Sequence, residues 1–93
     1  MIVPANYTEM NSHQRRKCRE AYVVQQNGLC HHCKAPLSGE PTKEIMNKPL
    51  MMKAFPENFL KYPVHLHHSH DTGMTIGAVH AYCNGVLWQY HGE

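Results

Sequence analysis

The chain has 93 residues, with four cysteines, nine histidines and a formal net charge of +2 when the histidines are neutral. This length predicts one domain whose modest core needs support from a bound metal or from disulfides. The weakly basic balance permits a nucleic-acid partner without requiring one, and no apolar run reaches the roughly 18 residues of a membrane-spanning helix.

The first residues, MIVPANYTEM, contain neither the basic nor the apolar region of a secretory signal. We therefore expect a cytoplasmic protein without membrane contact, in which clustered cysteines bind metal more often than they form disulfides. Residues 1–7 are predicted to form an irregular arm.

The segment from Thr8 to Gln26 is predicted to be a helix, because it contains no Gly or Pro and is rich in helix formers. Its candidate N-caps are Thr8, Asn11 and Ser12. The Asn27-Gly28 pair is a typical helix end, and Cys18 on the apolar face is interpreted as a small hydrophobic residue. The basic residues of this helix either form a solvated face or contact phosphates; they are Arg15, Arg16, Lys17 and Arg19.

The next segments are less regular. GLCHHC is predicted to be a tight turn, and residues 40–63 hold four of the six prolines, which predicts one or two helical turns packed on the core. We interpret the methionines there as core-filling side chains. VHLHHSH is predicted to be a strand, DTGM a turn, TIGAVHAY a second strand and CNGVLWQYHGE a short helix.

Two short pairs of metal-ligating residues lie far apart in the sequence. Cys30 and Cys33 form a Cys-x-x-C pair, and His80 and Cys83 form a His-x-x-C pair. Together they offer the four ligands of a closed structural zinc site. The alternative is two buried or redox-active cysteines with an unrelated third.

Four histidines crowd into VHLHHSH. Because strand side chains alternate, His65 and His67 are expected on one face and His68 and His70 on the other. Neutral imidazoles bind divalent metals and accept protons from water, and phosphodiester hydrolysis uses both a metal ion and a general base. Asn84 follows the last zinc ligand, at the predicted start of the final helix, where it can face the histidine strand.

In this order, the motifs resemble those of the ββα-metal (His-Me finger, HNH) nucleases, most closely the phage recombination endonuclease VII branch. That branch has a helix, G-x-C-x-x-C, H-L-D-H-D-H and C-x-x-C-N, and this chain has GLCHHC, HLHHSHDTG and HAYCN in the same order. The resemblance covers roughly residues 12–39 and 64–91. It implies one α+β domain over residues 1–93, with an N-terminal helix, a zinc knuckle and a catalytic ββα unit at about 64–91.

By position, the resemblance implies His68 as the general base and His67 and Asn84 as ligands of a catalytic divalent ion. His65 and His70 match flanking histidines near the scissile phosphate. The family has aspartate where His67 stands, so the site is less negative here. That change favours Mn²⁺, Co²⁺ or Ni²⁺ relative to Mg²⁺.

The expected function is therefore DNA endonuclease activity, with nicking by a monomer. No Arg or Lys lies near the histidine motif in sequence, so none is assigned to the transition state. Lys34 and Lys61 join the four basic residues of the first helix as candidates for DNA backbone contact. Two alternatives remain open: a catalytically silent zinc-ribbon module that binds DNA or a protein, and a dimeric junction nuclease. The second is disfavoured because the long C-terminal helices of endonuclease VII relatives are not found in these 93 residues.

Overall fold

The computed structural model describes residues 3–93, so the first two residues of the predicted arm lie outside the described part. The elements are α1 (Ser12–Gln25), α2 (Lys43–Met46), β1 (Val64–His68), β2 (Thr75–His80) and α3 (Ala81–His91), with 3-10 turns at Tyr7–Glu9 and Met52–Ala54. This arrangement confirms the predicted α+β class. Within residues 3–93, every helix is too short or too polar to cross a bilayer.

Helix α1 begins one turn later than predicted. Met10 is extended, which separates the 3-10 turn from the α-helix. Asn11, one of the three candidate caps, forms a capping box: its side chain accepts from the Gln14 N–H and its own N–H donates to the Gln14 side chain, each at 2.9 Å. The helix buries Cys18, as its place on the predicted apolar face indicated, and it also buries Tyr22 against the sheet.

Strands β1 and β2 form an antiparallel hairpin in which Val64 pairs with His80. The register shifts between His67, which pairs with Gly77, and His68, which pairs with Thr75. Such a bulge increases local twist and re-aims the neighbouring side chains. It lies in the middle of the histidine motif.

The predicted strand over VHLHHSH is too long, because β1 ends at His68 and His70 lies in the turn. The Ser69 hydroxyl accepts hydrogen bonds from the N–H groups of Asp71 and Thr72, each at 3.2 Å. Gly73 completes the turn with a φ of 77°, a conformation that glycine adopts without steric cost. The second strand is also shorter than predicted, since Ala81 and the following tyrosine belong to α3.

The described part of the N-terminal arm is irregular before Tyr7, as predicted, but backbone hydrogen bonds hold it in place. The Tyr7 N–H donates to the Gly73 carbonyl at 2.8 Å, and the Thr75 N–H donates to the Ala5 carbonyl at 2.8 Å. A bridge between Asn6 and Met74 lies between these two bonds. The arm therefore pairs with the end of the hairpin and brings Tyr7 to the last residues of β1.

The proline-rich segment packs on α3. A Cβ at Gly85 would lie 2.8 Å from a terminal methyl group of Leu50, so the present position of Leu50 uses the space that glycine leaves. The Gln89 amide donates to the Pro49 carbonyl at 3.1 Å, and the Tyr90 hydroxyl donates to the same carbonyl at 2.6 Å. Helix α2 and the second 3-10 turn match the one or two helical turns predicted in this segment.

The prediction that the methionines fill the core is wrong for this segment. Met46, Met51 and Met52 are 41%, 66% and 46% exposed. The short helical turns bury Ile45 instead, because the prolines interrupt any longer amphipathic pattern that would turn the methionines inward.

Candidate metal centre and histidine site

Three separate elements bring the predicted zinc ligands together. The ligand atoms of Cys30, Cys33, His80 and Cys83 all lie within 4.8 Å of one another, and only Cys33 is partly exposed. The first two residues lie in the knuckle after α1, His80 ends β2, and Cys83 lies in the first turn of α3. This group can hold a metal ion such as zinc, for which Cys₃His is a usual structural ligand set.

The hydrogen bond of His80 leaves Nδ1, the ring nitrogen that faces the cysteines, free to bind a metal. Its Nε2 lies 2.9 Å from the Pro36 carbonyl, which only accepts, so Nε2 carries the proton. Its Nδ1 is then unprotonated and has a free lone pair; this nitrogen lies 3.5 Å from the Cys33 sulfur and 3.7 Å from the Cys83 sulfur. A ligand imidazole whose other nitrogen donates to a carbonyl is the usual arrangement around zinc.

The thiols also have the electrostatics of a metal site. The Cys83 thiol, followed by backbone N–H groups, holds the pKa of Cys30 at about 3. The neighbouring Cys30 thiolate and burial raise the pKa of Cys83. A divalent cation would stabilise all three thiolates and remove this conflict. All four cysteines are free of disulfides, and Cys18 lies fully buried outside the group.

The knuckle packs directly on the hairpin. The His31 N–H donates to the Ala78 carbonyl at 3.0 Å. The Gln26 side chain donates to the same carbonyl and accepts from the Ala78 N–H, each at 2.9 Å. A Cβ at Gly77 would lie 2.8 Å from the His31 ring, so β2 needs glycine there. These contacts fix the metal group relative to the strand pair that carries the histidines, and the role of Gln26 was not predicted from the sequence.

His65, His67 and Asn84 meet between β1 and α3. The Asn84 amide nitrogen lies 3.2 Å from His65 Nδ1 and can only donate, so that imidazole nitrogen accepts. The amide oxygen of Asn84 is not used in this bond. Burial lowers the pKa of His65 and of His67, so both rings are neutral at pH 7. His67 is only 4% exposed.

His68 lies in a stack of rings on the other side of β1. Its ring lies on Tyr7 with centroids 3.8 Å apart and an interplanar angle of 5°. The Arg15 guanidinium carbon lies 3.8 Å from the same Tyr7 centroid, so the two groups must occupy opposite faces of the tyrosine. His70 meets His68 edge to face at 5.1 Å. Burial, followed by the nearby His70, His67 and Arg15, lowers the pKa of His68, which keeps its ring neutral at pH 7.

His65 and His67 lie toward Asn84, and His68 meets His70 edge to face, but His70 does so from the turn rather than from the strand, and His67, His68, His70 and Asn84 line one cavity. Tyr7 was missed, because its contact depends on how the N-terminal arm pairs with the hairpin turn. No side-chain spacing in the sequence signals that pairing.

A cavity of about 820 Å³ opens between α1 and this site. Its lining includes three arginines of α1, Arg15, Arg16 and Arg19, together with His65, His68 and Asn84. Asp and Glu are not among the described residues that line it. We call this space the arginine cavity. Its positive lining suits a phosphodiester backbone.

The three lysines proposed for DNA contact lie elsewhere. Lys17 approaches Glu20 at 3.9 Å on the exposed face of α1. Lys34 donates to the His31 carbonyl at 2.8 Å in the knuckle. Lys61 lies outside the lining of the arginine cavity, with its ammonium 5.6 Å from the Tyr62 ring centre. The structure therefore brings three of the six basic candidates to the histidine site, although none is near it in sequence.

No family model, curated protein or solved structure matches this chain. The case for its function therefore depends on the chemistry of the metal centre, the histidine site and the arginine cavity.

Proposed function

We propose that this chain is a metal-dependent DNA endonuclease of the ββα-metal (His-Me finger) type, which nicks DNA as a monomer. One observation carries the proposal: His65, His68 and Asn84 open into a cavity that is also lined by three arginines. The buried metal centre accounts for the stability of the fold but for nothing else at this site. It does not explain neutral imidazoles beside an anion-binding surface, which hydrolysis of a phosphodiester requires.

The side chains of His67 and Asn84 are the ones that would hold the catalytic divalent ion. They offer an imidazole nitrogen and an amide oxygen, a donor set suited to Mn²⁺, Co²⁺ or Ni²⁺. Their fit is supported by the Asn84 side chain, whose nitrogen donates to His65 and which also lies within hydrogen-bonding reach of His67, so the two proposed ligands meet at one place. When bound, such an ion supplies charge stabilisation for the scissile phosphate and the leaving 3′ oxygen.

His68 is the proposed general base. Its imidazole is neutral at pH 7 because burial lowers its pKa, and it lines the same cavity as the arginines. It takes a proton from the water that attacks phosphorus. The bond between phosphorus and the 3′ oxygen then breaks, so the water oxygen becomes part of a 5′-phosphate and the 3′ oxygen takes a proton from solvent to become a 3′-hydroxyl.

Arg15 and Arg19 are the proposed phosphate contacts nearest to the chemistry. Arg15 donates from Nε and Nη2 to the Tyr7 carbonyl at 3.1 and 2.9 Å, which fixes the guanidinium beside the His68 stack. Arg19 lies close enough to His65 to contribute, after burial, to lowering its pKa. Both residues are half-buried, and the two hydrogen bonds of Arg15 leave its side chain little freedom to lose on binding.

The test of the proposed reaction is the chemistry of the nick. The zinc-loaded protein is incubated with supercoiled plasmid and Mn²⁺, and the nicked circles are treated with DNA ligase. Hydrolysis by the proposed route leaves a 3′-hydroxyl and a 5′-phosphate, so ligase is expected to seal the nicks. Nicks that ligase cannot seal would contradict the assigned leaving oxygen, and absence of nicking would contradict the function.

The identity of the ion tests His67. We expect faster nicking in Mn²⁺, Co²⁺ or Ni²⁺ than in Mg²⁺, because Mg²⁺ prefers oxygen ligands and loses water reluctantly. His67→Asp is expected to shift this ranking toward Mg²⁺ and to leave the structural metal bound. Initial nicking rates in each ion measure the ranking, and an unchanged ranking in the variant means that His67 is not a ligand.

The stack on Tyr7 is expected to position His68. Tyr7→Ala removes the ring beneath the imidazole, and a small misplacement of a base can cost up to about 100-fold in rate. We expect a loss of about 10-fold or more in kcat with little change in KM. Tyr7→Phe keeps the ring, and its rate is expected to lie within about threefold of the parent rate. Equal losses in both variants would assign the effect to the hydroxyl and contradict a stacking role.

A further inference from the structure

We propose that the site binds an unpaired DNA base beside the scissile phosphate, in a pocket formed by Phe55, Phe59 and Trp88. We call it the aromatic pocket. The inference depends on the proposed function for the position of the phosphate. It adds that single-stranded or locally unpaired DNA is the preferred substrate class.

The pocket is a continuous aromatic wall. Phe55 meets Trp88 at a centroid distance of 5.3 Å and an angle of 68°, and it meets Phe59 at 4.7 Å. Phe59 meets the His65 ring edge to face at 4.8 Å. Trp88 lies four residues after Asn84 on α3, so the two side chains are neighbours on one helix face.

The aromatic pocket and the histidine site share one space. A cavity of about 300 Å³ is lined by the aromatic wall and also by His67, His68, His70 and Asn84. Phe59, His68 and Asn84 line this cavity and the arginine cavity as well. A group attached to a phosphate at the histidine site therefore has direct access to the aromatic wall.

Trp88 has an exposed face on which a planar group can stack. Its side chain is 45% exposed beside the polar site, and it meets Phe55 edge to face rather than being covered by a stacked ring. Large aromatic side chains with exposed faces are the usual platforms for nucleic-acid bases. The two cavities differ in character, so a strand can place its phosphates toward the arginines of α1 and a base against α3.

A base in a duplex is unsuitable for this pocket. Both of its faces are covered by neighbouring base pairs, and extrusion costs unstacking and unpairing energy. An unpaired base has free faces and stacks on Trp88 without that cost. The chemistry therefore selects a single-stranded or distorted strand over regular duplex DNA.

Trp88 is the only tryptophan in the chain, so its fluorescence reports on the pocket directly. The zinc-loaded protein, without added catalytic ions, is titrated with three probes: a single-stranded oligothymidylate, an abasic strand of the same length and a regular duplex. We expect strong quenching and tight binding with the oligothymidylate. The abasic strand, which keeps the phosphates, is expected to bind about 10-fold or more weakly, with little quenching.

Four variants assign the effect, with binding followed by the anisotropy of labelled probes. Trp88→Ala is expected to weaken oligothymidylate binding by about 10-fold and to leave the abasic affinity unchanged, whereas Trp88→Phe restores most of the loss. Tyr90→Phe is the control, because Tyr90 is 43% exposed on the same helix and does not line the pocket, and Tyr90→Ala is compared with it because the Tyr90 hydroxyl also donates to the Pro49 carbonyl. The experiment does not depend on cleavage, so a protein that binds as expected but fails to nick refutes only the proposed reaction. Equal affinities for the oligothymidylate and the abasic strand, or equal losses in Trp88→Ala and Tyr90→Ala, would overturn this inference.

Discussion

Cys83→Ser is expected to leave the chain largely unfolded and without tightly bound zinc. Binding of a structural zinc ion contributes about 10–16 kcal/mol in small metal-dependent domains. That is as large as the whole stability of a typical domain, about 5–15 kcal/mol. The Cys83 side chain is fully buried where the knuckle, β2 and α3 meet, so its loss releases all three from one another.

The measurement combines zinc content with circular dichroism and thermal melting. The parent is expected to hold about one zinc per chain and to melt cooperatively. Cys18→Ala is the matched control, because Cys18 is equally buried but lies outside the metal group. It should keep zinc and fold, with a loss of about 1 kcal/mol for the lost packing. A folded, cooperatively melting Cys83→Ser protein without metal would refute the structural role of zinc.

His68→Ala is expected to lower the nicking rate by about 100-fold or more, the usual contribution of a positioned general base. The fold, the bound zinc and DNA affinity should be unchanged, because His68 lies outside the metal group. The rate is measured from the loss of supercoiled plasmid in Mn²⁺.

His68→Phe separates proton transfer from packing. A phenyl ring can keep the stack on Tyr7, which now holds the imidazole at 3.8 Å, but it cannot accept a proton. We expect the same loss as in His68→Ala. His91→Ala, an exposed histidine at the end of α3, should nick at the parent rate. Activity retained in His68→Phe would mean that the ring fills space and that another group is the base.

The sequence predicts the elements whose signals are local. The metal ligands form two pairs that are close in sequence, Cys30 with Cys33 and His80 with Cys83. If both pairs bind one metal ion, they must lie together in the fold. The alternation along β1 likewise places His65 and His67 together. The predicted end of β1 is wrong, because the Ser69 side chain stabilises a turn that the spacing of the histidines does not indicate.

Long-range contacts could not be predicted from such patterns. Tyr7 reaches His68 because the arm pairs with the hairpin through backbone hydrogen bonds, which leave no trace in side-chain spacing. Arg15 reaches the same place because α1 packs against both strands of the hairpin. Trp88 did carry a signal, since a residue four positions after Asn84 on a helix must share its face.

The most direct test of the proposed nuclease is a plasmid assay with one preparation of zinc-loaded protein. Supercoiled plasmid is incubated with the parent and with Asn84→Ala, with and without added Mn²⁺, and zinc content is checked for each protein. We expect nicked circles only for the parent with Mn²⁺ and at most traces for Asn84→Ala, which keeps the zinc ligands. Parent protein that holds zinc, binds DNA and leaves the plasmid supercoiled in Mn²⁺ would contradict the proposed nuclease function and favour a silent zinc module.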